Sequence, residues 1–500
     1  MQSKPNILLL MGDEHRYSLA GCYGHRVVKT PTLDALAARG AVFDAAYCPS
    51  PICAPSRAAM MAGRHVHQLG VWDNAAPFHC DWPTFAHSFT AAGYRTILSG
   101  KMHFVGPDQR HGFAERWVQD IYPATFAWTP NSRDGVPYNE TRFTDETRVH
   151  AQTIDCVSEA GVGRTFDMDY DDEVVFRTCY GLRQLAREPE RKPFLLCASL
   201  TGPHFPFRAP QAYWDRYRDE EIDLPRLPAD LLKRDPEHIR WVRNFGRLDQ
   251  IVPDDICRKA RHAQYARVSM VDDHLAKIME VMRESGLLEN TIVIYTSDHG
   301  DMLGDHGLWF KNVAYEASSR VPLIMAGPGI NRARVPEVMS LLDLGPTICG
   351  LAGIEPVYPV PDGRDLTDLL QSRRPAGPGR AIMENYGEGV WKGWRMLREG
   401  KYKLIHVPGV EQILFDLEKD PEEWTNVAAD PAYATVLASM TRTILDGWDW
   451  AQCDEVRWQS EDRRLAILKA PQTMDDWQTA SPPVPHCRAR NQGMLRVRAL

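Results

Sequence analysis

The feature that most constrains this chain is a short apolar run that recurs along it and ends each time in polar residues. Asn6-Ile7-Leu8-Leu9-Leu10-Met11 runs unbroken into Gly12-Asp13-Glu14. A strand that is apolar without alternation has both faces buried, which points to a parallel sheet covered by helices on both sides. Arg95–Gly100 reads the same way before Lys101 and His103, 193–200 before Thr201-Gly202-Pro203-His204, and 291–296 before Ser297-Asp298-His299-Gly300. Between these runs, 32–40 reads as a helix with a threonine start and a glycine stop, Ala41–Tyr47 as a short strand, and 261–285 as a long helix. The alternation predicts an α/β fold with a large, mixed, mostly parallel sheet sandwiched by helices. Ligands of such sheets gather at the carboxyl ends of strands. Polar residues at four separate strand ends therefore predict one composite active site.

After about residue 375 the texture changes. A Pro- and Gly-rich stretch at 373–380 reads as a linker, and short strands at 394–397, 401–406 and 412–416 predict a small antiparallel sheet. The expected organisation is a catalytic domain over 1–375, a small C-terminal unit over 376–450, and a tail over 451–500 that packs on the surface or on a partner subunit. A net charge of -8 without a concentrated basic face argues against nucleic acid as a partner. No apolar run approaches the ~20 residues of a membrane helix, and the start lacks a charged-then-apolar leader. Eleven cysteines without paired spacing suit reduced thiols. These readings predict a soluble, cytoplasmic protein with no membrane partner.

Asp13, Glu14, Asp298 and His299 come from two strand ends far apart in the chain. Asp13-Glu14 alone reads equally well as a helix cap; the second strand ending in acid and imidazole is what points to a metal. Oxygen-rich ligation suits a hard cation such as Ca²⁺ or Mg²⁺, and the imidazole admits Mn²⁺. Asn312 is a further candidate. Arg57, Lys101, His103, His204 and Lys311 supply the donors that a tetrahedral anion needs as charge develops on it. With a metal, they describe an anionic-ester hydrolase. His65-Val66-His67 is spaced like a metal pair but reads as structural. Cys53, in SPICAPSRAAMMAGR, has neither a disulfide partner nor the company of a zinc site.

The stretch Cys53-Ala54-Pro55-Ser56-Arg57, followed by small residues and Gly-Arg, resembles the signature Cys-x-Pro-Ser-Arg of formylglycine-dependent (type I) sulfatases of the alkaline phosphatase superfamily. PNILLLMGDEH, SGKMHFVGPDQRHGF, TGPHFPF, YTSDHGDMLGDHGLWFK and LFDLEKDPEEWTNVA resemble sulfatase segments in the same order, so the likeness covers most of the chain. VWDNAA, LSGKMHFVGPDQRHGF and DIYPATFAWTP resemble choline sulfatases in particular.

The resemblance implies an alkaline-phosphatase-like fold and hydrolysis of a small organic sulfate, aryl sulfate or choline sulfate, to alcohol and sulfate. It implies that a formylglycine-generating enzyme oxidises Cys53 to formylglycine (3-oxoalanine), whose hydrate attacks sulfur with one hydroxyl and releases sulfate by loss of a proton from the other. Asp13, Glu14, Asp298, His299 and residue 53 become ligands of one divalent metal ion, calcium first. Glu14 stands where the family more often has Asp or Gln. Arg57 would hold the diol, Lys101, His204 and Lys311 the sulfate oxygens; His103 would act as base, and His204 or Lys311 would help the leaving oxygen depart. Trp128 and Glu384 match the aromatic and acidic positions that receive a quaternary ammonium. The basic ending NQGMLRVRAL lacks the acid of choline sulfatase tails, which leaves both substrates open. A homo-oligomer, dimer or tetramer, is expected. The alternatives are a phosphonate monoester or phosphodiester hydrolase of the same superfamily, and a non-catalytic anion-binding relative that keeps Cys53 as a thiol.

Overall fold

The computed structural model describes residues 4–130, 152–372, 379–470 and 477. Eight strands form the large sheet: β1 Asn6–Asp13, β2 Ala41–Tyr47, β3 Arg95–Gly100, β4 Glu115–Val118, β5 Phe194–Pro203, β6 Thr291–Ser297, β7 Leu323–Ala326 and β8 Ala333–Ser340. Their spatial order is β8-β2-β7-β6-β1-β5-β3-β4. Only β7 runs antiparallel to its neighbours; every other pairing is parallel. The chain has the alkaline-phosphatase-like α/β fold of the expected class, with a second, antiparallel sheet after it.

The unbroken apolar runs follow from burial on both faces. Along β1, Ile7, Leu9 and Met11 enter one core and Leu8 and Leu10 the other, and β6 divides Ile292 and Ile294 from Val293 and Tyr295 in the same way. Helices Phe166–Arg187 and Asp254–Glu284 cover one face; helices Cys53–Ala62, Phe85–Ala91 and Leu344–Leu351 cover the other. Each of these wholly buried aliphatic side chains contributes roughly 1.5–3 kcal/mol. The register brings the strand ends to one edge: Gly12 lies opposite Ser297, Asp13 opposite Pro203, and Gly100 opposite Ser199.

β9 Arg380–Asn385, β10 Trp394–Glu399, β11 Tyr402–Val407 and β12 Glu411–Asp416 form the antiparallel sheet in that order. Lys403 of β11 ties it to the short helix Glu316–Ser319, its buried ammonium 2.7 Å from both Glu316 and Glu423. Helix Trp450–Ile467 lies against the body of the protein, where Arg464 makes a two-armed pair with Asp73 at 2.7 Å per arm and Arg457 donates to the Trp391 carbonyl. Residues 373–378 of the expected linker, and 471–476 and 478–500 of the expected tail, lie outside the described residues. Among the described residues no helix is long and apolar enough to cross a membrane, and their ten cysteines are free thiols.

Candidate active site

Cys53 opens the Cys53–Ala62 helix at the carboxyl edge of the large sheet. The helix start is fixed by Asn74 Oδ1, which accepts from Ala54 N at 3.0 Å, and by Ser56 Oγ, which donates to the Asp298 carbonyl at 2.6 Å. Cys53 Sγ then lies 3.2 Å from His299 Nε2, 3.4 Å from Lys311 Nζ and 3.8 Å from Asp13 Oδ1. One turn on, Arg57 is wholly buried and binds both acidic strand ends, with Nη2 2.9 Å from Asp13 Oδ2 and Nε 2.8 Å from Asp298 Oδ2. Its Nη1 donates to the Lys101 carbonyl and to Ser199 Oγ, each at 2.9 Å.

The cations come from three further strand ends and loops. Lys101 Nζ pairs with Asp13 Oδ2 and sits 4.1 Å from the centre of the Tyr122 ring. Lys311 Nζ donates to Glu14 Oε2 at 2.8 Å and to His204 Nε2 at 3.0 Å. His204 Nδ1 lies 2.7 Å from the Phe205 carbonyl, which fixes its proton there and leaves Nε2 toward Lys311. His103 is buried with no hydrogen-bond partner on either ring nitrogen. The turn into Lys101 requires Gly100: its φ is +105°, and a Cβ would lie 2.1 Å from the Ser199 carbonyl oxygen.

Opposed forces set the ionisation of the cluster. Burial and the nearby Asp298 push Asp13 up, but Lys101, Arg57 and His204 hold it down at about 2. Burial likewise opposes the charge on Asp298, and Arg57, His299 and Lys101 hold it far below the carboxylate range. Glu14 goes the other way: burial raises it well above the usual value despite Lys311. Burial lowers His299 to about 4, and pushes the Cys53 thiol well up with help from Asp13.

This donor set fits a hard divalent cation. Ligand atoms of Asp13, Cys53, Asp298 and His299 lie within 4.8 Å of one another, as do those of Asp13, Glu14 and His204. Glu14 Oε1 is buried with no hydrogen-bond partner, an acceptor that a cation satisfies. His299 Nδ1, 3.0 Å from the Gly300 carbonyl, is held as a donor, so Nε2 presents its lone pair to the cluster. Asn312, next to Lys311 in the chain, donates from Nδ2 to Gln152 Oε1 at 3.0 Å.

The structure thus brings together Asp13, Glu14, Cys53, Arg57, Lys101, His204, Asp298, His299 and Lys311. Trp128 and the buried His103 pack beside Tyr122, their rings 5.4 Å apart and 4.7 and 4.8 Å from the Tyr122 ring. Glu384 is a correction. Its carboxylate is wholly buried, accepts from Arg395 Nε at 2.7 Å and from His67 N at 2.8 Å, and has the His67 ring at 2.9 Å, so it is committed to an ion pair and offers a substrate nothing. A second buried acid, Glu388, lies four residues on and accepts from Asn74 Nδ2 at 2.6 Å and Gln152 Nε2 at 3.0 Å. Burial raises its pKa, and Lys311 is near enough to oppose the shift. Tyr122 is a second residue that sequence reasoning missed. Both had a signal: Tyr122 lies within DIYPATFAWTP, and Glu388 in the turn after β9.

The Sulfatase family model matches residues 5–354, and the model of the N-sulphoglucosamine sulphohydrolase C-terminal region matches residues 304–447. The chain belongs to the Sulfatase family and is a sulfuric ester hydrolase. It is 39% identical to the choline-sulfatase of Rhizobium meliloti (strain 1021), over 93% of this chain and 91% of that one. It is 30% identical to the arylsulfatase of Clostridium perfringens (strain 13 / Type A), over 86% and 91%. In three dimensions it resembles the phosphonate monoester hydrolase of Agrobacterium radiobacter, with TM-score 0.72, 23% identity and coverage of 91% and 96%. It also resembles a putative sulfatase of Bacteroides thetaiotaomicron VPI-5482, with TM-score 0.68, 25% identity and coverage of 97% and 96%.

Proposed function

We propose that this sulfatase hydrolyses small organic sulfate monoesters with a cationic alcohol, choline sulfate first among them, and uses residue 53 as its nucleophile. The observation that carries the reading is the convergence on Cys53 of Lys101, His204 and Lys311, with the aromatic wall of Tyr122 and Trp128 alongside. Oxidation of Cys53 to formylglycine by a formylglycine-generating enzyme supplies a hydrated aldehyde, whose two hydroxyls divide attack and release between them. A divalent cation, calcium first, held by Asp13, Glu14, Asp298, His299 and residue 53, supplies the charge that favours an ionised nucleophile.

The chain's own residues do the rest. Arg57 holds Asp13 and Asp298 in place and shares its single positive charge between them, with Lys101 a second cation on Asp13. Lys101 and Lys311 offer ammonium donors to the sulfate oxygens, where charge grows in the transition state. His103, with both ring nitrogens open, takes the proton whose loss frees sulfate. Lys311 protonates the departing oxygen, and His204 Nε2, which accepts from Lys311, holds that ammonium in line. Helix Cys53–Ala62 adds the positive end of its dipole at residue 53.

On the alcohol side, an aromatic face and a buried carboxylate suit a quaternary ammonium. Arg464 bonds Asp73 and Thr129, the chain neighbours of Asn74, which holds Glu388, and of Trp128. The test is kcat/KM on choline sulfate, 4-nitrophenyl sulfate and a phenyl phosphonate ester. Choline sulfate should lead. Trp128→Ala and Glu388→Gln should raise KM for choline sulfate roughly tenfold more than for the aryl ester, from the ~0.5–2 kcal/mol of a cation over a desolvated ring. Equal effects on both esters would remove the cation pocket, and faster phosphonate hydrolysis would favour the reading as a phosphonate monoester hydrolase.

A further inference from the structure

Beyond Lys101 the chain leaves the sheet, and its backbone is held by three buried side chains outside the catalytic cluster. Asp120 Oδ2 accepts from Met102 N at 2.7 Å and His103 N at 2.6 Å, and its Oδ1 accepts from Tyr122 N at 3.0 Å. Arg116, on the edge strand β4, reaches Asp120 Oδ2 at 3.4 Å and the Gly100 carbonyl at 3.2 Å through Nη2, while Nη1 binds the Gln109 carbonyl and Oε1. Gln109 Nε2 donates to the carbonyls of Phe104 and Gly106 at 2.8 and 2.9 Å. Backbone groups of Gly100, Met102, His103, Phe104 and Gly106 are thus fixed by side chains. His103 needs such support, because its φ of +57° is a strained, left-handed conformation for a residue with a side chain.

We infer that Asp120, Arg116 and Gln109 form a clamp whose work is to aim Lys101 and His103 at the sulfate and, through Tyr122 N, to set the aromatic wall. Asp120 is then a positioning residue for this reaction, acting through groups that touch substrate. The inference rests on the proposed roles of Lys101 and His103.

In Asp120→Asn the volume is kept, but one face of the side chain becomes an NH₂ that opposes backbone N–H groups it must hold. Enzyme made with the formylglycine-generating enzyme should keep its circular dichroism and its converted fraction of residue 53. Its kcat/KM should fall roughly tenfold to a hundredfold, the scale of a misplacement of about 1 Å, and the Ki of inorganic sulfate should rise at least about fivefold. A merely structural role lowers the active fraction, which reduces kcat and leaves KM and Ki unchanged; that pattern, or wild-type constants, would overturn the clamp. If Asp120→Asn does not fold, Gln109→Met removes the two bonds to the loop carbonyls and the one from Arg116 Nη1, and is read by the same constants, with the same outcomes deciding. Lys101→Ala separates the two ideas. If it leaves the sulfate Ki unchanged, the proposed reading of the site fails; if it raises Ki while both clamp variants do not, only the clamp fails.

Discussion

Arg57 has every guanidinium nitrogen engaged: Nε on Asp298, Nη2 on Asp13, and Nη1 on the Lys101 carbonyl and Ser199 Oγ. A lysine reaches one carboxylate and leaves the other buried without its partner. Arg57→Lys should therefore lose about 3–5 kcal/mol of stability, the cost of breaking a buried pair, and roughly a hundredfold in kcat/KM. Thermal denaturation and steady-state kinetics check both, and a variant with wild-type values would contradict the role given to Arg57. Glu384 makes the opposite test. Because its carboxylate is spent on Arg395 and His67, Glu384→Gln should cost about 3 kcal/mol or more and leave the ratio of KM values for choline and aryl sulfate unchanged. The contrast between Glu384 and Glu388 shows where sequence reading stops. Residues at strand ends, such as Asp13, Lys101 and Asp298, are legible because the end of an apolar run fixes where they go. Which of two acids four residues apart is spent on an ion pair depends on whether an arginine from β10 folds onto it.

Helix Pro31–Ala37 takes its first-turn partner from far along the chain. Asp272, on helix Asp254–Glu284, accepts from Thr32 N and Leu33 N at 2.9 Å each. Asp272→Ala should destabilise the protein by about 1–3 kcal/mol, through the lost cap and two unpaired N–H groups, with kcat unaltered. Urea unfolding beside a turnover assay reads this; a fall in kcat would mean the helix pair also holds the site. The reading of 32–40, made from a threonine start and a glycine stop, begins one residue late and runs three residues past the helix end at Ala37, because Pro31 occupies the first helical position. The cap itself is invisible, since it is supplied from 240 residues away. Helix Asp254–Glu284 begins earlier than 261, at a Pro-Asp-Asp start signal. Helix Phe166–Arg187 is hidden by its exposed Phe176 and Tyr180, 64% and 55% exposed, which blur the apolar stripe. The direction of β7 is also not legible, because Leu-Ile-Met-Ala is as apolar in an antiparallel strand as in a parallel one.

Across the whole molecule, the loop that carries Lys311 also carries His306, stacked between Tyr315 and Trp424 with ring centres 4.0 Å from each, its Nε2 bonded to the Glu422 carbonyl. Burial holds His306 at about 4 instead of 6.5. Above about pH 6.5 neither folded nor unfolded chain protonates it, and its contribution to stability is complete. As pH falls from about 6.5 to 4 the unfolded chain takes up a proton that the folded protein refuses, so stability drops, by up to about 3 kcal/mol. His306→Phe should flatten the pH dependence of Tm over that window; an unchanged slope would place the titration elsewhere. At this scale the sequence is most informative, because four polar strand ends at one sheet edge already imply a single site, while the small sheet's contact through Lys403 arises only on folding. The central claim is that residue 53 is the nucleophile after oxidation. The most direct measurement is the mass of the peptide containing Cys53, from protein made with an active formylglycine-generating enzyme, read beside the turnover of Cys53→Ala. The account predicts a peptide that has exchanged its thiol for an aldehyde and a variant that folds without turnover. An intact cysteine in fully active enzyme, or substantial turnover by Cys53→Ala, would contradict it.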